Sequence, residues 1–206
     1  MRLLCSLITG AIFASSAFAG NIVLNPGFEA NDFALPDWTP GLSFFANTDG
    51  LGPHSGRVFA ATDCVGASCT TDPARALSQH LATTATTYTL SFFYDLGSSR
   101  NDMTGNFAEL RVLWGTTQVL DVSATNQPNP GYVSFSMSGL PGDAVNGVDL
   151  IFFGRNDPSQ LGVDDVCVVA AGDSCSAAPE PRSLELAGGA IFVAIGVLLR
   201  RRRTVR

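Results

Sequence analysis

Short segments of alternating hydrophobic and polar residues occupy the chain between its two termini. Every second residue from Tyr88 to Tyr94 is large and apolar, and residues 107–114 alternate in the same way with Trp114 on the apolar side. Alternation with a period of two is typical of β-strands with one buried face. The strands predicted from this pattern are residues 22–24, 42–46, 58–62, 75–81, 87–96, 107–114, 118–122, 132–137, 148–153 and 163–169.

Turn-forming residues separate these segments, and no segment between the termini keeps a helical period. The separating stretches are Asp49-Gly50, residues 97–106, Gly115-Thr116, residues 126–131 and Pro141-Gly142-Asp143. About ten short strands at this spacing predict an all-β fold, either an antiparallel sandwich or a barrel.

The N-terminus has the pattern of a secretory signal peptide. Arg2 precedes an apolar run that ends in Ala17-Phe18-Ala19, so residues 1–19 are expected to be removed together with Cys5. A membrane anchor is the alternative, and it is disfavoured because no cluster of charges follows the run. The mature body then covers residues 20–177, a suitable length for one domain.

The C-terminal residues 178–206 combine a short apolar segment with a basic end. Residues 184–199 contain a single charge, and Arg200, Arg201, Arg202 and Arg203 follow directly. The pattern predicts a short transmembrane helix whose arginines remain on the cytoplasmic side. A buried C-terminal helix is the alternative, and four adjacent guanidinium groups at its end argue against it.

This tail resembles the PEP-CTERM sorting signal of exopolysaccharide-producing Gram-negative bacteria. The motif Pro179-Glu180-Pro181, the apolar helix and the arginine-rich end occur in the family's order. The resemblance implies processing by an exosortase near the motif. It also implies transient anchoring in the inner membrane, followed by delivery to the cell envelope or the outside.

The body is strongly acidic once its termini are set aside. Residues 20–177 contain five arginines, no lysine and sixteen Asp or Glu residues, a formal charge of −11. Such a surface repels nucleic acid and anionic lipid and attracts cations, so we expect no nucleic-acid partner.

Four cysteines remain in the body: Cys64, Cys69, Cys167 and Cys175. An even number in an exported protein indicates disulfides, and short separation favours Cys64–Cys69 and Cys167–Cys175. A zinc site is the alternative, and neither spacing is the Cys-x-x-Cys that zinc sites commonly use.

Several segments of the body resemble carbohydrate-binding jelly rolls of the galactose-binding-like class. They occur in the family's order and cover most of the body: Asn25-Pro26-Gly27-Phe28-Glu29, Trp38, His54-Ser55-Gly56, Leu77-Ser78-Gln79, residues 88–92 and Val163-Asp164-Asp165-Val166. The resemblance implies an antiparallel jelly-roll β-sandwich with exopolysaccharide as a candidate partner.

The same resemblance implies a structural Ca²⁺ that joins the first loop to the last strand. Its ligands would be the carbonyl of Gly27 and the carboxylates of Glu29 and of Asp164 or Asp165, with a further ligand from residues 49–52. The alternative is that these carboxylates accept backbone N–H groups at turns.

Catalytic chemistry has little support in the sequence. Adjacent strand residues alternate between faces, so Asp164 and Asp165 are not expected to flank one glycosidic bond. The only histidines are His54 and His80, and no nucleophile elbow, metalloprotease, P-loop or dinucleotide motif is present. We therefore expect no enzymatic activity.

Sugar binding would use aromatic rings and a few polar groups. Besides Trp38, the aromatic candidates are Phe44, Phe45, Phe107, Trp114 and Tyr132, although most are expected in the core and Trp114 is expected to be buried. Glu109 and Arg111, opposite Trp114, are the candidate polar partners. Arg100, Asn101 and Asp102 in the loop at residues 97–106 are candidate specificity residues.

These observations predict a non-enzymatic, exported envelope or matrix protein that binds polysaccharide. The first alternative is a purely structural or adhesive surface protein with the same fold and no sugar site. The second, less favoured alternative is a secreted glycoside hydrolase that uses a pair of carboxylates.

Overall fold

The computed structural model describes residues 20–97, 107–125, 131–157 and 159–175. The predicted signal peptide, Arg100, Asn101 and Asp102, and the whole sorting signal lie outside these residues. Within the described ranges, no helix has the length and apolarity that crossing a bilayer requires.

The described chain is built from ten strands, all paired antiparallel. They are β1 (Thr39–Pro40), β2 (Phe44–Asn47), β3 (Phe59–Thr62), β4 (Leu77–Leu81), β5 (Thr87–Asp95), β6 (Phe107–Trp114), β7 (Thr117–Thr125), β8 (Val133–Pro141), β9 (Val148–Asp157) and β10 (Leu161–Ala170). Two short 3₁₀-helices, Ala67–Thr70 and Pro73–Arg75, lie between β3 and β4.

The strands form two five-stranded sheets. Sheet 1 has the order β1-β4-β9-β6-β7, and sheet 2 has the order β2-β3-β10-β5-β8. The chain crosses repeatedly from one sheet to the other, as it does in a jelly roll. The predicted all-β sandwich is therefore confirmed.

The core lies between the two sheets and is formed by the inward positions of each strand. Leu90 and Phe92 of β5 and Leu110 and Val112 of β6 are fully buried, as their alternation predicts. Phe92 of sheet 2 meets Phe152 of sheet 1 edge to face, with ring centroids 5.1 Å apart. Trp114 is buried as expected, and its indole N–H donates to the carbonyl of Pro141 at 2.7 Å.

Nine of the ten predicted segments contain a strand, and the prediction for residues 22–24 is wrong. That segment lies beside β10, with Ile22 N donating to Val168 O at 2.9 Å. The Asn21 side chain makes the neighbouring bonds, to Val166 O and Val168 N, at 2.9 and 2.8 Å. Because a side-chain amide takes the place of backbone groups, no regular ladder forms.

The structure contains both predicted disulfides, Cys64–Cys69 and Cys167–Cys175. The first joins Cys64 to Cys69, a residue of the 3₁₀-helix Ala67–Thr70, which lies on the outer side of sheet 1. The second fixes the segment after β10, and Ser91 Oγ of the neighbouring strand lies 3.3 Å from Cys175 Sγ. The first disulfide therefore closes a loop within the segment between β3 and β4, and the second ties the segment after β10 to that strand.

Candidate functional site

A β-bulge in β10 brings Asp164 and Asp165 to one turn on the outer side of sheet 2. The register against β5 shifts between Asp164 and Cys167, and Asp165 has a left-handed φ of 50°. Such a bulge inserts an extra residue into the strand and interrupts its alternation. The expectation that the two carboxylates diverge is therefore wrong: both reach His54 and Ser55.

Five hydrogen bonds occupy the two carboxylates. Asp164 accepts from the backbone N–H groups of His54 and Ser55 at 2.8 and 3.1 Å and from its neighbour's N–H at 2.8 Å. Asp165 accepts from Ser55 Oγ at 2.7 Å and lies 2.6 Å from His54 Nδ1. The pair thus fixes the turn at residues 54–55 against the last strand.

Aromatic side chains surround this turn. The His54 ring stacks on Phe93 of β5 with centroids 3.5 Å apart and meets Tyr132 at 5.4 Å. The Tyr132 hydroxyl donates to Gly52 O at 3.0 Å, and Phe59 beneath it is fully buried. The cluster is a small second core outside sheet 2, and sequence alternation gave no signal for it.

Burial governs the electrostatics of this region. Asp164 is 0% exposed, and burial, followed by the charge of Asp165, raises its pKa to about 7 despite the hydrogen bonds that lower it. Burial also raises the pKa of the Tyr132 hydroxyl, and nearby carboxylates, Asp164 first, raise it further. Both groups are therefore neutral over a wider pH range than their exposed counterparts.

Glu29 holds the same segment from its other end. Its Oε1 accepts from the N–H groups of Arg57 and Val58 at 2.6 and 2.7 Å. Gly27 lies buried in the preceding turn, where Phe28 N donates to Asn25 O at 3.2 Å. The segment at residues 54–58 is thus fixed at one end by Glu29 and at the other by β10.

The carboxylates predicted as calcium ligands thus accept backbone N–H groups at turns, which is the alternative to a calcium site. Among the described residues, no three His, Cys, Asp or Glu side chains converge in a way that would hold a metal ion. Glu29, Asp164 and Asp165 accept N–H or O–H groups instead, so the side chains as placed do not form a Ca²⁺ cage. Calcium binding stays a prediction.

Trp38 lies in the core and is unavailable to a ligand. It is 6% exposed, its ring packs against Phe28 and Phe152 at 5.3 and 6.0 Å, and its indole N–H donates to Asn25 O at 3.1 Å. Asn25 also holds the surrounding loop, since its side chain bonds to Pro36 O and Ala30 N. The opening motif therefore organises the loop that buries the tryptophan.

The other aromatic candidates are buried or half-buried. Phe44 and Trp114 are buried, while Phe45, Phe107 and Tyr132 are half-buried. The Arg155 guanidinium covers the Phe107 ring at 4.7 Å. None of the six candidates forms an exposed stacking surface.

Glu109 and Arg111 lie together on the outer side of sheet 1, opposite Trp114. Both also contact Thr70 of the first 3₁₀-helix: its hydroxyl donates to Glu109 Oε2 at 3.4 Å, and Arg111 Nη1 donates to its carbonyl at 3.2 Å. The Arg111 guanidinium lies 5.4 Å from the centroid of Phe153. Glu109 and Arg111, which the alternation predicts on one face of the strand, are therefore adjacent in space.

Exposed polar residues of β7 continue this surface. Ser123 lies opposite Glu109 and Asp121 lies opposite Arg111 in the register of β6 and β7. We call the outward side chains Phe107, Glu109, Arg111, Asp121 and Ser123 the β6–β7 face. Within the described residues the Asp121 carboxylate makes no hydrogen bond or ion pair, because Arg111 turns towards Thr70.

The disulfide segment borders the β6–β7 face on the β9 side. Asn156 N donates to Cys64 O at 3.0 Å, and Gly66 N donates to the Asp157 carboxylate at 3.1 Å. Arg155 pairs with Asp157 through its Nε at 2.8 Å. Asp121, Arg155 and Asp157 are not among the predicted site residues. Asp121 lies on the outward side of a predicted strand, whereas Arg155 and Asp157 lie beyond the predicted segment 148–153, which β9 extends to Asp157.

Comparison with known proteins identifies the fold. No protein-family model matches the sequence, and no curated protein does. The xylan-binding CBM22-1 domain of Paenibacillus barcinonensis Xyn10C is 13% identical and aligns over 77% of this chain and 100% of its own, with a TM-score of 0.51. At that identity the likeness establishes the fold.

Two further carbohydrate-binding modules have similar structures. The C-terminal family 22 module of Clostridium thermocellum Xyn10B is 14% identical, covers 72% and 93% of the two chains, and has a TM-score of 0.46. TmCBM61, solved with β-1,4-galactotriose, is 15% identical, covers 73% and 98%, and has a TM-score of 0.48. The structural neighbours named here are thus carbohydrate-binding modules.

Proposed function

We propose that residues 20–177 form a non-enzymatic module that binds uncharged polysaccharide through the β6–β7 face. The observation that carries the proposal is the exposed Asp121 carboxylate beside Glu109 and Arg111. Carboxylates accept from sugar hydroxyls and a guanidinium donates to them, so the face offers both halves of a hydroxyl-binding pattern. The carbohydrate-binding fold supports this assignment.

Charge selects the class of polysaccharide. Around the face, Glu109, Asp121 and Asp157 outnumber Arg111 and Arg155, and the body carries a formal charge of −11. Anionic polysaccharides would be repelled by this surface. Neutral xylan and β-1,4-galactotriose, the sugars named for two of the structural neighbours, are the first probes.

The test is affinity gel electrophoresis of the full chain on neutral polysaccharides, followed by calorimetry. Asp121→Ala and Glu109→Gln should each weaken binding about tenfold, because each substitution removes a hydrogen bond between a charged group and the sugar. Asp173→Ala, an exposed carboxylate outside the face, is the matched control and should bind like the wild type. Equal binding by all four proteins would refute the site.

A structural or adhesive role without a sugar site is the second candidate, favoured by the burial of the aromatic candidates. If the wild type binds no polysaccharide in the panel, this function replaces the first. A glycosidase is disfavoured because Asp164 is fully buried and Asp165 is engaged with His54 and Ser55. Turnover of any chromogenic glycoside would contradict the non-enzymatic proposal.

Export and sorting belong to the same proposal. The signal peptide would deliver the body across the inner membrane, and an exosortase would cleave near Pro179-Glu180-Pro181. The two disulfides in the body fit an oxidising compartment. Fractionation of cells lacking exosortase should retain the unprocessed chain in the inner membrane, and unchanged release would contradict this route.

A further inference from the structure

The two sheets have four edges, and three of them have features that oppose pairing with another chain. Natural proteins block edge strands by shortness, by charge or by irregularity. β1 has two residues and β2 has four. β7 is long, but exposed Asp121 lies at its centre and its register against β6 is shifted near Val112.

The fourth edge, β8, lacks these features along its first six residues. It has nine residues, Val133–Pro141, and none carries a charge. Its single irregularity lies near the end, where the register against β5 shifts beside Gly139, which has a φ of 81°. In an antiparallel pair, alternate residues direct their N–H and C=O groups away from the partner. Among the described residues, these groups of β8 have no partner strand.

The side chains of β8 divide cleanly between its two faces. Val133, Phe135 and Met137 point towards the core side, opposite Tyr94, Phe92 and Leu90 of β5, while Ser134, Ser136 and Ser138 point outwards. Phe135 packs on Phe92 at 4.9 Å. Val133 and Met137, however, remain 38% and 39% exposed at the open edge.

From these observations we infer that β8 pairs with β8 of a second copy of this chain, antiparallel and about a two-fold axis. The register places Val133 opposite the partner's Met137 and Phe135 opposite the partner's Phe135. Val133, Phe135 and Met137 then meet apolar side chains of the second copy, and Ser134 meets the partner's Ser136 on the outer face. Sheet 2 of one copy and sheet 2 of the other then form one continuous ten-stranded sheet.

Charge opposes the approach of two copies least at this uncharged edge. Two bodies that each carry a formal charge of −11 repel at most orientations. The uncharged strand lets them approach while its exposed Val133 and Met137 are covered. The pairing is isologous: the contact of residue 133 with residue 137 of the second copy occurs twice, with the two copies exchanged.

The first test is sedimentation velocity of the full chain in mild detergent over a range of concentrations. The wild type is expected to show a reversible dimer, and Met137→Lys should weaken it about tenfold or more, because an unpaired ammonium would lie between apolar side chains. Val145→Lys, at a 90% exposed apolar residue on a turn, is the matched control and should dimerise normally. Equal thermal melting of both variants excludes misfolding.

The second test addresses the register. Val133→Glu alone should also weaken the dimer, whereas an equimolar mixture of Val133→Glu and Met137→Lys chains should form heterodimers, since the two new charges face each other. A monomeric wild type, or a dimer that Met137→Lys leaves unchanged, would overturn the proposal. A mixture that stays monomeric would overturn the register. A chain that stays monomeric but captures an added β-strand peptide of unrelated sequence would assign the edge to a foreign strand.

Discussion

Asp164 combines complete burial with three hydrogen bonds, and burial dominates its ionisation. Since its pKa rises from 3.8 to about 7 on folding, the folded chain binds this proton more tightly than the unfolded chain. The stabilisation is therefore complete below the unfolded pKa and is lost as the pH rises towards the folded one. At the scale of one residue, the turn at 54–55 is held by a carboxyl group whose protonation state depends on pH near neutrality.

Stability should accordingly decrease between about pH 4 and pH 7, by about 4 kcal/mol at most for this group. Asp164→Asn cannot titrate, so its urea-unfolding free energy should depend less steeply on pH over that interval. Measurements with a chelator present keep metal ions out of the comparison. Parallel pH profiles for wild type and variant would contradict the assignment.

Substitutions of Glu29 distinguish a role in hydrogen bonding from a role in calcium binding. Glu29→Gln keeps an acceptor for the N–H groups of Arg57 and Val58, whereas Glu29→Ala removes it and should cost about 1–3 kcal/mol. If hydrogen bonding dominates, glutamine retains most of the stability. If Ca²⁺ is bound, added Ca²⁺ raises the melting temperature of the wild type and a chelator reverses it. The absence of any such shift would contradict calcium binding.

At the scale of elements, alternation locates strands well because one face of each is buried in the shared core. β5 and β6 illustrate this, since their apolar positions are the buried ones. Interruptions of the pattern could not be predicted. The β10 bulge depends on Asp165 adopting a left-handed conformation, and the segment at residues 22–24 depends on an asparagine side chain that replaces backbone groups.

The candidate site was predictable to a similar extent. Outward placement of Glu109 and Arg111 follows directly from the apolar position of Trp114. Their contacts with Thr70 depend on how the disulfide segment folds back over sheet 1, which local sequence does not specify. Trp38 shows the converse, because a lone tryptophan in a loop gives no local sign of burial.

The two disulfides offer a matched comparison of elements. Removing either pair, as Cys64→Ser with Cys69→Ser or as Cys167→Ser with Cys175→Ser, should cost about 2–3 kcal/mol by loop entropy. Only the first pair should also weaken polysaccharide binding, because it fixes the helix that contacts Glu109 and Arg111. Urea unfolding and calorimetry measure both effects. Equal affinity losses for both pairs would argue against a site at the β6–β7 face.

At the scale of the whole molecule, charge and surface chemistry act in opposite directions. The acidic body keeps copies apart at long range, while the neutral β8 edge brings them together at short range. Added salt shortens the Debye length from about 10 Å at 0.1 M to about 3 Å at 1 M. Repulsion between bodies therefore weakens with salt, whereas backbone pairing and apolar contacts at β8 depend on it much less.

Dimerisation through β8 should consequently tighten with ionic strength, by several-fold between about 0.02 and 0.5 M sodium chloride. Sedimentation velocity at fixed protein concentration measures the change. The Met137→Lys chain should remain the weaker associator at every salt concentration, because its defect lies at the contact and not in the long-range field. A dimer that instead dissociates as salt is added would indicate ion pairs across the interface, which an uncharged β8 pairing does not contain.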